Sequence, residues 1–286
     1  MARAYLADLS EGFSAKGLTE SRDYVIEGRY AVGHYDRFPD LARELVQAGA
    51  RMILPTTIAG VRAAQALNPP IPVVMAAIND PVGTGLIASL AHPGGYTTGV
   101  ATLNEDLTPK ILEFLRAILP KASTLAVISN PANSSNTLML DNFRTRAGAL
   151  GMTVTSVTVR SPEELDPALA ALNSSKPDAL HLISDAANID LGDRISAFAM
   201  GHKLPFFSTY PEMVDLNGLL AYGPPRRKLL VRVGDYVKRI LDGASPADLP
   251  VEQPTGIELW LNLKTASALG LSMPPTLLAI ADKVIE

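Results

Sequence analysis

Two stretches of this chain spell the same order of elements, and that repetition constrains the fold more than any other feature. RMILPTTIAGVRAAQALNPPIPVVMAAIND (51–80) and DALHLISDAANIDLGDRISAFAMGHKLPFFSTYPEM (178–213) each run apolar strand, polar turn, helix, proline-led apolar strand and polar turn. A helix joining two buried strands calls for a parallel crossover, so each stretch predicts a parallel sheet flanked by helices. Two similar α/β lobes are the economical account. The joins fall near Thr102 to Asn104, Gly218 to Tyr222 and Pro250 to Pro254, which makes 1–102 and 222–251 the first lobe, 103–221 and 252–286 the second, with a hinge of three crossings.

The remaining elements follow from periodicity and punctuation. Ala2 to Lys16 and Phe38 to Ala48 have helical spacing and stop at Gly17 and Gly49; Arg22 to Ala31 alternates as a strand should, and Arg51 to Leu54 is the next. Val73 to Ile78 is a buried strand stopped by Asn79-Asp80-Pro81, after which Gly83-Thr84-Gly85 turns the chain into a short apolar helix ending about His92. Thr97 to Leu103 is extended. Beyond it come a helix (Leu107 to Ile118), a strand (Thr124 to Ser129), a helix (Asn136 to Leu150) and a strand (Met152 to Val159). Ser161 and Glu164 have capping-box spacing before a helix to Leu172. Arg227 to Leu241 is a long helix, and the tail adds a strand (Ile257 to Leu261), a helix (Lys264 to Leu269) and a last helix after Pro274-Pro275.

With 286 residues, 47% of them apolar, the chain has ample core for this architecture. A net charge of -4, with Arg226-Arg227-Lys228 as its one basic cluster, gives no stripe for nucleic acid. The chain has no cysteine, which removes thiolate catalysis, disulfides and cysteine zinc sites and is compatible with an oxidising compartment. No apolar run nears the roughly 20 residues of a membrane span, and Met1 leads into an amphipathic segment without the n- and h-regions of an export signal.

Ligands of open parallel sheets bind outside the carboxyl ends of strands. Those ends carry Thr56, Thr57, Asn79 and Asp80 in the first lobe, and Asn130, Asn133, Ser134, Ser135, Asp185, Thr209 and Tyr210 in the second. Hydroxyls and N–H groups at helix starts suit a carboxylate or phosphate; a desolvated Asp80 or Asp185 suits an ammonium. Together they fit a zwitterion such as an amino acid. Each residue taken alone is an ordinary cap or turn residue, and it is their recurrence at the same strand ends of both lobes that carries weight. Tyr210 and Tyr222, near the joins, could stack on a flat ligand, although tyrosine at a sheet edge is also ordinary packing.

Gly83 to Ala88 satisfies G-x-G-x-x-G/A, with Glu105 and Asp106 downstream, so a dinucleotide-dependent enzyme is an alternative. Against it, Asp80-Pro81-Val82 separates strand from glycine, and Pro93 cuts the helix short. No other catalytic motif is present, and the 4 histidines have no ligand spacing. A small-molecule sensor domain is a further alternative, with no DNA-binding helix pair attached.

Several longer segments resemble one family: GHYDRFPDLARELV (33–46), AAINDPVGTGLIASLAHPGG (76–95), NPAN (130–133), LAYGPPRR (220–227) and ILDGASPADLPVEQPTGIELWLNLKTASALGLSMPP (240–275). The chain is similar to ABC-transporter substrate-binding proteins of the periplasmic-binding-protein type I fold, in the branch that includes tryptophan and other amino-acid binders. The resemblance implies a periplasmic, monomeric, non-enzymatic receptor without cofactor or metal. Its two lobes would close on a small amino-acid-like ligand and deliver it to a membrane permease, without membrane insertion or nucleic-acid binding. Thr56, Thr57, Asn79, Asp80, Asn130, Asn133, Ser134, Ser135, Asp185, Tyr210 and Tyr222 would line the cleft. Such proteins begin with a signal peptide and a first strand that this sequence lacks, so lobe 1 is expected to miss that strand, and the native reading frame is expected to start upstream.

Overall fold

A computed structural model describes residues 2–286, with side-chain surroundings from residue 5 onward; Met1, and the expectation resting on it, lies outside them. The chain divides into unit 1, Met1–Leu103 with Arg226–Thr255, and unit 2, Asn104–Pro225 with Gly256–Glu286.

Unit 1 is built on β1 (Val73–Asn79) and β2 (Thr97–Thr102), paired in parallel. Both are buried along nearly their whole length, as parallel strands covered on two faces must be. Val73, Met75 and Ile78 of β1 join a cluster with Ile58, Val61 and Ala64 of α3 (Ile58–Gln65); Val74 and Ala76 face the other cluster. Ala77, at φ 63, is the extra residue of a bulge between Ala76 and Ile78. The bulge shifts the alternation by one, which keeps Ile78 in the core and turns Asn79 toward Thr102 on β2. The second cluster is formed by Leu9 and Phe13 of α1 (Ala2–Ala15) with Leu230, Val233 and Tyr236 of α9 (Arg226–Leu241). These helices cross closely, because a Cβ on Gly234 would lie 2.3 Å from the Gly12 carbonyl oxygen.

Three expectations for unit 1 change. Arg22 to Ala31 forms no strand; Tyr24 makes an isolated bridge to Glu20, and Val25 and Tyr30 are exposed. Alternation makes a strand only beside a partner, and this segment has none beyond that bridge. The Arg51 to Leu54 strand contracts to one bridge, Ile53 to Val73, supported by the Ile53 N–H to Pro72 and the Val74 N–H to Ile53. The apolar helix expected up to His92 is a series of turns and bends. Asp80, at φ 42, and Gly85, at φ 72, both leave the helical region, and the main-chain bonds of Leu86 and Ile87 go back to Pro81.

Unit 2 carries a seven-stranded sheet in the order β4-β3-β5-β6-β7-β8-β9. Its strands are β3 (Thr124–Ser129), β4 (Thr153–Thr158), β5 (Ala179–Leu182), β6 (Phe206–Ser208), β7 (Leu220–Gly223), β8 (Glu258–Asn262) and β9 (Lys283–Ile285). All pairings are parallel except β7 with β8, so the sheet is mixed at the end built from the tail; β9 had no counterpart among the expected elements. Leu125 and Val127 of β3 face one cluster with α4 (Thr108–Ile118) and α5 (Ser134–Ala149), while Ala126 and Ile128 face another with α6 (Leu165–Ser175) and α8 (Gly192–Gly201). Burying each such large side chain contributes about 1.5–3 kcal/mol. The Ser161 capping box is not made: Ser161 caps nothing with its side chain, and the Glu164 carboxylate instead accepts the Arg160 N–H and pairs with its guanidinium. The one helix expected between the two strands of 178–213 is two, α7 (Ala186–Ile189) and α8.

Candidate functional site

In unit 2 the polar ends of β3 and β5 are neighbours because Ile128 and Leu182 pair. Asp185, one residue beyond Ser184, is extended at φ -154 and ψ 132 and caps α7: its Oδ1 accepts the N–H of Ala187 at 3.2 Å and of Asn188 at 3.3 Å. Two amides from the β3 end complete its shell, Asn130 Nδ2 donating to Oδ1 at 3.2 Å and Asn133 Nδ2 to Oδ2 at 3.0 Å. Asn133 in turn caps α5, its Oδ1 accepting from the Ser135 N–H and hydroxyl. Asn136 fastens both strand ends, accepting the Asn130 N–H at 3.0 Å and donating to the Ser184 carbonyl at 2.9 Å. All these residues are buried, Asn130 and Asn136 at 0% exposure. A buried polar lattice of this kind is stable because its members satisfy one another.

The remaining unit 2 candidates lie around this lattice. Ser134 is exposed on the first turn of α5. Tyr210 is half-buried against the cluster beneath α6 and α8. Tyr222 meets Phe114 edge-on at 5.1 Å between ring centroids, which commits part of its ring to the core. Beside them, β7 runs hard against the end of β6: a Cβ on Gly223 would lie 1.8 Å from the Thr209 carbonyl oxygen.

Unit 1 has a looser arrangement. Thr57 caps α3 by accepting the Gly60 N–H at 3.0 Å, while Thr56 is exposed. Asn79 Oδ1 accepts the Thr102 hydroxyl at 2.8 Å in a buried contact across β1 and β2. The half-buried Asp80 closes its own turn: its Oδ1 accepts the Gly83 N–H at 2.8 Å, and its carbonyl accepts the Thr84 hydroxyl at 2.6 Å. A Cβ at Gly83 would fall 2.2 Å from the Asp80 carboxylate, so any side chain there would push that carboxylate out of its place. The glycine loop therefore answers to Asp80, and with no helix following it there is no helix N-terminus to take a pyrophosphate.

Thr102, Asn136 and Asn188 are polar, buried and part of these strand ends, yet none of them stands among the sequence candidates; Thr209, named with the strand ends of the second lobe, is buried there too. The usable signal was position: Asn136 and Asn188 each stand three residues after a capping Asn or Asp. His181 in β5 is fully buried against Phe143, with neither ring nitrogen hydrogen-bonded, and burial drives its pKa down to about 3. No group of three or more potential metal-ligating side chains occurs among the described residues.

Comparison with solved structures first fixes the class. The chain superposes with a TM-score of 0.91 on a conserved domain protein from Vibrio cholerae O1 biovar El Tor (24% identity; 99% of this chain, 94% of that one). It superposes at 0.86 on an ABC domain from Streptococcus pneumoniae solved with L-Trp (25% identity; 98% and 95%). It is an α/β protein of the type I periplasmic-binding-protein fold. A family model described as ABC transporter substrate binding protein matches residues 3–285, and the chain belongs to that family. A curated relative, the tyrosine-binding protein of Clostridioides difficile (strain R20291), is 26% identical over 257 residues, covering 90% of this chain and 73% of that protein.

Proposed function

We propose that this chain is the solute-binding protein of an ABC importer, an extracytoplasmic receptor rather than an enzyme, that takes an amino acid or an aromatic acid and passes it to a membrane permease. The observation that carries the reading is the family match over residues 3–285. Relatives that bear the names of tyrosine and L-Trp narrow the ligand class, and the candidate residues at the strand ends supply the polar chemistry such a ligand needs. Within the candidate set, Thr57, Asn133 and Asp185 support the site, since each spends its side chain on a helix start. Asn79, Tyr210, Tyr222, Thr56 and Ser134 are the candidates for direct contact, with Asp80 and Ser135 shaping the turns beside them and Asn130 holding the strand end. No helix is long and apolar enough to cross a membrane among the described residues.

A thermal-shift screen of protein stripped of carried-over ligand tests this reading. At about 100 times its dissociation constant a one-site ligand adds roughly 2.7 kcal/mol, a shift of several degrees for a chain of this size. A shift with an amino acid or aromatic acid, and none with NAD(P)(H), is expected; a shift with dinucleotides alone contradicts the reading.

A further inference from the structure

Two side chains at the strand ends of unit 2 are buried without any partner from the fold. Asn188 and Thr209 are each 1% exposed, and neither Asn188 Nδ2 nor Thr209 Oγ1 makes a hydrogen bond. They belong to neighbouring places in the sheet: Asn188 lies in α7, directly beyond β5, and Thr209 directly follows β6, which pairs with β5 through Leu182 and Ser208. Native proteins seldom leave buried polar atoms unpaired, so two such atoms at neighbouring strand ends call for a partner from outside the fold. The backbone at Thr209 is tightly placed, since β7 approaches its carbonyl so closely that only glycine fits at position 223.

The chemistry of the two groups points one way. An amide NH₂ can only donate, and a threonine hydroxyl has one proton to give, so the atom that would satisfy both is an acceptor. The acidic group beside them is already occupied, because the Asp185 carboxylate receives four N–H donors, from Asn130, Asn133, Ala187 and Asn188. It has the role of a scaffold anion, and an ammonium would have to displace one of those bonds to reach it.

Resting on the receptor reading above, we infer that Asn188 and Thr209 are ligand-binding residues that donate to a carboxylate on the ligand, and that Asp185 is a positioning residue rather than the partner of a ligand ammonium. On this assignment unit 2 recognises the acid end of the ligand, so an aromatic acid without an amine retains the unit 2 contacts and an amine without the acid loses them.

The test uses the full chain and six probes: L-tryptophan, indole-3-propionate and tryptamine, with L-tyrosine, 3-(4-hydroxyphenyl)propionate and tyramine. Calorimetry is run on wild type, Asn188→Ala, Thr209→Val and Thr209→Ser, together with the melting temperature of each unliganded variant. The expected result is binding of an amino acid or its deaminated acid and much weaker binding of the amine. Thr209→Val and Asn188→Ala then each weaken the carboxylate-bearing probe by roughly 10- to 100-fold. Thr209→Ser keeps the hydroxyl and binds like wild type. Unliganded Thr209→Val melts at or above the wild-type temperature, because no hydrogen bond of the fold is lost. Wild-type affinity in both Thr209→Val and Asn188→Ala, an amine that binds as well as its acid, or an unliganded melting temperature that falls in step with the affinity overturns the inference and leaves the receptor reading standing. Wild-type protein that binds none of the six overturns the inference for aromatic amino acids and their acids, and the thermal-shift screen above then decides the receptor reading separately.

Discussion

Units 1 and 2 end a central strand on the same kind of residues, Asn79-Asp80 after β1 and Ser184-Asp185 after β5, and use them differently. Asp80 closes its own loop, its Oδ1 accepting the N–H of Gly83 three residues on. Asp185 does the same for α7 and then gathers Asn130 and Asn133, 55 and 52 residues earlier, onto both of its oxygens. The first is a turn; the second is a joint between strands. Composition at a strand end therefore says that a polar turn is there, while the number of elements tied to one carboxylate decides how much of the fold depends on it.

That contrast can be broken by substitution. Asp185→Ala strands two buried amides and two N–H groups and is expected to cost about 3–5 kcal/mol, whereas Asp80→Ala removes one half-exposed contact and is expected to cost about 1 kcal/mol. The chain's 1 tryptophan, Trp260, lies in β8 of unit 2, so its fluorescence in a denaturant titration follows that unit, and circular dichroism follows both. Equal losses for the two variants would erase the distinction. The glycines sharpen it: Gly223→Ala presses a methyl into the Thr209 backbone and should cost about 3 kcal/mol, while Gly83→Ala meets the rotatable end of Asp80 and should cost no more than about 1 kcal/mol.

Acid should also find unit 2 first. β1 has no titratable side chain, but His181 in β5 is held neutral by burial, its pKa lowered from 6.5 to about 3. The unfolded chain takes up that proton below pH 6.5 and the folded chain does not, so stability is lost as pH falls from 6.5 toward 3. At pH 5 the loss is about 2 kcal/mol, and His181→Leu should abolish that part of the slope when denaturant midpoints at pH 8 and pH 5 are compared. An unchanged slope would place the acid sensitivity elsewhere. The smallest effect is local to unit 1: Thr57→Ala loses the cap of α3 and about 1 kcal/mol, and Thr56→Ala, exposed beside it, should leave the midpoint where it was.

Much of the α/β order was legible in the sequence because turn chemistry and helix starts coincide: Thr57, Asn133 and Asp185 are caps where polar residues follow apolar runs. Partnership was not legible. Nothing in Arg22 to Ala31 announces that its alternation has no strand to pair with, and nothing in VVMAAIN marks Ala77 as the residue of a bulge. Asp185 resembled a free carboxylate suited to an ammonium until its two asparagines, distant in sequence, were placed on it. Asn188 carried no signal of its own and Thr209 only that of a strand end, since an unpaired donor is a property of the folded surroundings rather than of the residue.

The most direct test of the central claim is a calorimetric titration of the ligand-stripped chain with L-tryptophan, L-tyrosine, their deaminated acids and NAD(H). The account predicts saturable one-to-one binding of at least one amino acid or aromatic acid, with the negative heat-capacity change of apolar burial, and no heat from the dinucleotide. Saturable binding of NAD(H) with no heat from any of the acids would contradict it.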